Sequence, residues 1–155
     1  MLNVYTVVFF GHRYIDDVLT VERVLCEWIR KLIDEKEYVE FLVGRNGDFD
    51  RIASSAVRRV KKEYRDDNSS LVLVLPYITA EYEKNKTEFE EYYDSIEISF
   101  DAASAFPKAA IQLRNKRMVE GADLIICCVE RSGGAKQAVE YAKKLGKPVI
   151  NICNN

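Results

Sequence analysis

Five short strand-like runs, each separated from the next by a stretch of helical periodicity, constrain this chain more than any other feature. The runs are Val4 to Phe10, Val39 to Val43, Leu71 to Leu75, Asp123 to Val129 and Pro148 to Ile152. The first is a continuous apolar run rich in Val and Phe, the signature of a strand covered on both faces. Between the first two runs, Asp16 and Asp17 can cap a helix whose Val18, Val21, Leu25, Trp28, Ile29 and Leu32 share one side. A helix led by Asp48 and Asp50 carries Ile52, Ala53, Ala56, Val57 and Val60. Pro107 opens another that runs to about Glu120 and closes at Gly121, and Ala135 to Leu145 forms one ended by Gly146. Strand, helix, strand repeated in this way requires right-handed crossovers. The expected fold is α/β and doubly wound, with a mainly parallel sheet flanked by helices, in a single domain over residues 1–155.

One stretch departs from this rhythm. From Tyr77 to Ala105 the chain interleaves the acids Glu81, Glu83, Glu88, Glu90, Glu91, Asp94, Glu97 and Asp101 with Tyr82, Phe89, Tyr92, Tyr93 and Phe100. The pattern predicts a short helix and then an edge strand near Ser95 to Ile98. It suits a solvated helix with a few packed rings, and equally a lid or an oligomer surface.

Composition limits the partners. The 155 residues include 23 Lys plus Arg, 25 Asp plus Glu and one His, for a formal charge of −2. A dedicated nucleic-acid binder normally carries a strongly basic domain, so no nucleic acid is expected. A lone histidine excludes a poly-His metal site; no metal and no cofactor are expected. Cys26, Cys127, Cys128 and Cys153 show neither zinc spacing nor the setting of a secreted disulfide framework, so buried reduced thiols are expected. The N-terminal apolar run is too short to span a bilayer and has no basic leader, which points to the cytoplasm and away from membranes.

In a doubly wound sheet, ligands bind beyond the carboxyl ends of the strands. The segments that converge there are Gly11-His12-Arg13, Gly44-Arg45-Asn46-Gly47-Asp48, Pro76-Tyr77 and Glu130-Arg131-Ser132-Gly133-Gly134. Glycine lets backbone N–H groups approach an anion, the following helix aims its positive end at it, and arginine adds bidentate donors. Arg13, Arg45, Arg114, Arg117 and Arg131 gather near these ends and are offset by the acids from Glu81 to Asp101. A phosphorylated small molecule, a nucleotide foremost, is the expected ligand. The dinucleotide fingerprint and the P-loop are both absent. His12, directly after a strand and a glycine, suits a functional role at the mouth or a structural hydrogen-bonding role.

Phe10-Gly11-His12-Arg13, Gly44 to Asp50 leading into Ala53, Arg114-Asn115-Lys116-Arg117-Met118, Ala122-Asp123, Ser132-Gly133-Gly134 and Glu140-Tyr141-Ala142 together resemble the SLOG superfamily. This Rossmann-like group contains the Lonely Guy phosphoribohydrolases and the DNA-processing protein DprA. The resemblance covers nearly the whole chain. It implies a nucleotide-derived ligand, of ADP-ribose, cyclic nucleotide or nucleoside phosphate type, held by Gly11, His12, Arg13, Gly44, Asn46, Gly47, Asp48, Arg114, Arg117, Ser132, Gly133, Gly134 and Lys136. The role implied is a sensor or sink of the kind used in bacterial or phage defence signalling, by analogy as a homo-oligomer. The alternative is an N-glycoside hydrolase acting on nucleoside 5′-monophosphates. Arg114 precedes Met118 by four residues and Glu140 follows Gly134 by six, which resembles the placing of the catalytic Arg and Glu of Lonely Guy enzymes. The chain departs from that enzyme motif at Lys136 and Gln137, where a glycine and a threonine belong. Glu140 beside Lys143 and Lys144 also suits a solvated helix face, and Arg114 with Arg117 a surface charge pair.

Overall fold

A computed structural model describes residues 2–99 and 106–153. The elements in chain order are β1 (Val4–Gly11), α1 (Val18–Glu35), β2 (Tyr38–Val43), α2 (Asp48–Glu63), β3 (Ser69–Leu75), α3 (Ala80–Lys84), α4 (Lys86–Tyr92), β4 (Ser95–Ile98), α5 (Pro107–Glu120), β5 (Leu124–Cys128), α6 (Gly134–Lys144) and β6 (Val149–Asn151). The six strands form one sheet in the order β4-β3-β2-β1-β5-β6. Every pairing is parallel, with Val7 of β1 opposite Phe41 of β2 and Leu124 of β5. This is the α/β arrangement expected from the alternation of runs.

The apolar runs are continuous because both faces of the sheet are covered. In β1, Val7 and Phe9 enter one core with Leu25, Ile29, Ile33, Phe49 and Val57 of α1 and α2. Val8 and Phe10 enter the other, against Met118 and Val119 of α5 and Ala138, Val139 and Ala142 of α6. Asp17 caps α1 by accepting from the Thr20 N–H at 3.2 Å, which satisfies an otherwise orphaned donor. Val18, expected on the buried side, stands at the very start of α1 and is 41% exposed, whereas Ile33 joins the core.

The acidic aromatic stretch folds as two short helices broken at Asn85, and then the expected edge strand β4. Its rings are packed. Phe89 and Tyr93 are buried in the α1/α2-side core, with Tyr82 centred 5.6 Å from Phe89 and Tyr92 4.8 Å from Tyr93. Arg45 closes this unit onto the loop after β2, pairing with Glu81 at 2.8 Å, donating to the Tyr93 hydroxyl at 2.9 Å and covering the Phe89 ring. Phe100 and Asp101 lie outside the described residues.

The cysteines correct the expectation of four reduced thiols. Cys128 and Cys153 form a disulfide with Cα atoms 4.9 Å apart, whereas Cys26 and Cys127 are free. The pairing is tertiary in origin. β5 and β6 are neighbours in register at Cys127 and Asn151, and the Ile152 N–H donates to the Cys127 carbonyl at 2.9 Å, which brings Cys153, two residues past the end of β6, against Cys128 at the end of β5. Burial pushes the Cys127 thiol up to about 11, which leaves it an inert protonated group at neutral pH. No helix among the described residues is long and apolar enough to cross a membrane.

Candidate functional site

Strand order runs outward from β1 in one direction through β2 to β4 and in the other through β5 to β6, so the order switches beside β1. A cleft of about 470 Å³ opens there, at the carboxyl ends of the strands, where the crossovers on the two faces diverge. Phe10 to Tyr14 supply one wall, Gly44, Asn46 and Asp50 the floor beyond β2, Arg114, Asn115 and Met118 the α5 side, and Arg131 to Ala135 the opposite wall.

The loops after β1 and β2 are bonded into a unit. The Asp48 N–H donates to the Arg13 carbonyl at 2.9 Å, the Phe49 N–H to the His12 carbonyl at 3.3 Å, and the Ile15 N–H to Asp48 Oδ2 at 3.1 Å. Two glycines make this contact possible. A Cβ at Gly11 would stand 2.1 Å from Cγ of Phe49, and one at Gly47 would stand 2.4 Å from Cα of Arg13. Both distances are far inside van der Waals contact.

The loop after β5 is different. Gly133 adopts φ +147°, a conformation that favours glycine, and a Cβ at Gly133 or Gly134 would meet nothing within 4 Å. The amides of Ser132, Gly133 and Gly134 donate to no group among the described residues. They belong to the loop and first turn of α6, where N–H groups are orphaned and the helix dipole is positive. Arg13 lines the same cleft, is exposed, and has no ion-pair or hydrogen-bond partner for its guanidinium among the described residues. Arg131, also at the cleft, donates from Nη2 to the Tyr14 carbonyl at 2.9 Å and so links the two walls.

His12 joins the walls a second time. Its ring is buried, and Nε2 accepts from the backbone N–H groups of Glu130 at 2.9 Å and Arg131 at 3.2 Å. A ring nitrogen that accepts carries no proton, so the hydrogen-bond pattern assigns the neutral form protonated on Nδ1. Burial, reinforced by the Arg131 cation and opposed by Glu130, holds the imidazole below its ordinary 6.5. Of the two roles open to His12 in the sequence, this geometry provides the structural one.

At the floor, Arg114 is buried at 3% exposure, with Nη1 donating to the Val74 carbonyl at 3.1 Å and Nε and Nη2 to Asn115 Oδ1 at 3.2 and 3.0 Å. Asp50 faces it across Gly44, whose absent Cβ would lie 3.1 Å from Arg114 Nη1 and 3.2 Å from Asp50 Oδ2. The Asn46 N–H donates to Asp50 Oδ2 at 2.8 Å, while the other carboxyl oxygen has no partner among the described residues. Burial pushes the Asp50 carboxyl up, against the pull of the Asn46 N–H and the Arg114 cation. Burial likewise draws Arg114 down, with Asp50 opposing, although a guanidinium stays charged at any ordinary pH.

Gly11, His12, Arg13, Gly44, Asn46, Arg114, Ser132, Gly133 and Gly134 therefore meet at one cleft. Gly47 and Asp48 stand behind its wall and hold the loops. Arg117 lines a neighbouring cavity of about 340 Å³ with Glu97 and Ser99, sharing Arg114 and Met118 with the cleft. Lys136 and Glu140 do not enter the cleft lining; they lie one turn apart on α6, both exposed, with Nζ and Oε1 4.0 Å apart. Arg45 leaves the expected arginine cluster to bind Glu81 and Tyr93. Tyr14, Asp50 and Asn115 were not anticipated as site residues, although Asp50 in the first turn after Gly47 and Asn115 beside Arg114 were adjacent to residues that were. Among the described residues no group of three or more His, Cys, Asp or Glu is placed to hold a metal ion.

No protein-family model matches the sequence, and no curated protein matches it. Solved structures share its fold. DNA processing protein A from Helicobacter pylori, described as binding single-stranded DNA, aligns with a TM-score of 0.62 and 16% identity over 94% of this chain. The chain spans 63% of that protein's length. A molybdenum cofactor carrier protein from Chlamydomonas reinhardtii aligns with a TM-score of 0.60 and 14% identity, over 95% of this chain and 75% of the other. At these identities the likeness establishes a Rossmann-like α/β fold and nothing finer.

Proposed function

We propose that the protein binds a nucleotide-derived small molecule in the cleft beside β1, as a sensor or sink. The phosphate would rest on the start of α6 and against Arg13. The observation that carries this reading is the set of three amides, at Ser132, Gly133 and Gly134, that have no acceptor among the described residues while Arg13, likewise without a partner among them, lines the same cleft. Backbone donors at a helix N-terminus, joined by a guanidinium, make an anion receptor. The cleft volume suits a small molecule. Two proteins that share the fold are described by what they bind or carry, which agrees with a binding role. A nucleic-acid ligand fits less well, because the chain's formal charge is −2. A thermal-shift screen with nucleoside mono- and diphosphates, cyclic nucleotides and ADP-ribose tests the reading. A ligand at 100 times its dissociation constant adds about 2.7 kcal/mol of stability. Absence of any shift across that panel would overturn it.

Hydrolysis of an N-glycosidic bond is the second reading, and one observation favours it. Asp50 is a carboxylate in the cleft with an oxygen that has no partner among the described residues and a pKa raised by burial, as a general acid or base requires. Glu140, expected in that role, stands outside the lining. Release of free base from a nucleoside 5′-monophosphate, abolished by Asp50→Asn and retained by Glu140→Gln, is the result that this reading requires.

A further inference from the structure

Tyr14 is the exposed aromatic side chain of the cleft. It follows Arg13 directly and lines the opening at 79% exposure. Of the other tyrosine rings, Tyr82, Tyr92 and Tyr93 pack on neighbouring rings, Tyr141 donates to Glu120, and Tyr64 donates to Asp34 beneath Arg30; Tyr38 and Tyr77 lie outside the cleft lining. The Tyr14 ring has no hydrogen bond, cation or ring partner among the described residues. Its backbone is nevertheless held. The Tyr14 carbonyl accepts from Arg131 Nη2 at 2.9 Å, and the N–H of the next residue, Ile15, donates to Asp48 Oδ2 at 3.1 Å. With the Arg13 carbonyl on the other side accepting from the Asp48 N–H at 2.9 Å, the peptides before and after Tyr14 are both held, so only the rotamers of the ring remain to be ordered when something lands on it.

We infer that the Tyr14 ring is a stacking surface for a planar heteroaromatic group of the ligand, so that the occupant is a base-bearing nucleotide rather than a sugar phosphate or a simple polyanion. The inference rests on the anion-binding reading of the cleft and adds the chemistry of the ligand's second end. Neighbouring positions in one loop divide the work: Arg13 meets negative charge, and Tyr14 meets a π-face. Stacking tolerates any base, because every base presents such a face. Tyr14 therefore selects for the presence of a base, and leaves the choice of base to groups deeper in the cleft.

Calorimetric titration with AMP, GMP, CMP and UMP, set against ribose 5-phosphate and pyrophosphate, tests this on the whole chain. The wild type should bind at least one of the nucleotides roughly tenfold or more tightly than ribose 5-phosphate, the size of effect that stacking on one aromatic ring supplies. Tyr14→Ala should remove that advantage while leaving ribose 5-phosphate and pyrophosphate affinities unchanged, and Tyr14→Phe should keep it. Equal binding of nucleotides and ribose 5-phosphate by the wild type, or an advantage that survives in Tyr14→Ala, overturns the inference and leaves the anion site standing. Failure of every phosphate to bind overturns both.

Discussion

On the β1 side of the cleft, glycine is required because the protein fills the space; on the α6 side, glycine faces space that nothing fills. A methyl group at Gly11 or Gly47 would collide with Phe49 or with the Arg13 backbone, whereas one at Gly134 would meet no atom within 4 Å. Hydrogen bonding divides in the same way. The loops after β1 and β2 use the backbone groups of His12, Arg13, Asp48 and Phe49 on each other, and the loop after β5 leaves three consecutive amides unused. Residues that look alike in the sequence thus belong to two populations, one whose groups are spent on the walls and one whose groups have no partner among the described residues.

Removing the tether beneath the α6 wall should have the largest effect on stability. The Cys128–Cys153 disulfide spans 25 residues, and Asn151 beside it accepts from the Val129 N–H at 3.2 Å and donates to the Val129 carbonyl at 2.8 Å. Chain-entropy reasoning for a loop of that length predicts that Cys153→Ser costs roughly 3.5 kcal/mol relative to the oxidised protein. Urea denaturation with and without reductant measures it; a variant as stable as the oxidised wild type would show that the bridge contributes nothing.

Gly11→Ala comes next. Overpacking against Phe49 should cost about 3 kcal/mol by the same measurement, while Gly134→Ala should change stability by less than about 0.5 kcal/mol and weaken nucleotide binding instead. Equal destabilisation by the two substitutions would erase the distinction between the walls.

His12→Ala should cost about 2 kcal/mol, because it removes a buried ring and strands the part-buried N–H groups of Glu130 and Arg131. The same bond predicts a pH dependence. Folding lowers the pKa of His12 below the 6.5 of the unfolded chain, so between these values the unfolded state binds the proton more readily. The contribution of His12 is complete above pH 6.5 and is lost as the pH falls toward the depressed folded value. Melting curves from pH 8 down to 5 should show this loss in the wild type and a flatter profile in His12→Ala.

Arg13→Ala should have the smallest effect on stability, within about 0.5 kcal/mol, since its guanidinium has no partner among the described residues to lose. Its phosphate affinity should fall by tenfold or more in calorimetry. Unchanged affinity would move the anion elsewhere.

Much of the fold was legible because periodicity reports burial directly. A run apolar at every position, such as Val7 to Phe10, must be covered on both sides, and a chain that alternates such runs with one-sided helices has few ways to cover them. The split of the acidic aromatic stretch into α3 and α4 was less legible, because helices of five and seven residues are too short to show a period. The site was legible as a set of strand-end loops and blurred in its details. Arg45 follows a strand as Arg13 does, but the proximity of Glu81 and Tyr93 turns it away from the cleft. Glu140 has the spacing of a catalytic residue, and the rotation of α6 places it beside Lys136 in solvent.

By itself, then, the sequence determined the order of elements, the parallel sheet and the edge at which glycine and arginine converge. Each of these follows from local patterning and from the handedness of crossovers. Only the tertiary structure decided which convergent groups are already occupied. It alone placed Cys128 against Cys153, closed His12 Nε2 onto the Glu130 and Arg131 amides, set Asp50 opposite Arg114 across Gly44, and left Arg13, Tyr14 and the start of α6 open. Hydrogen bonds and close contacts between loops depend on distances between segments far apart in the chain, and no period along the sequence encodes those distances.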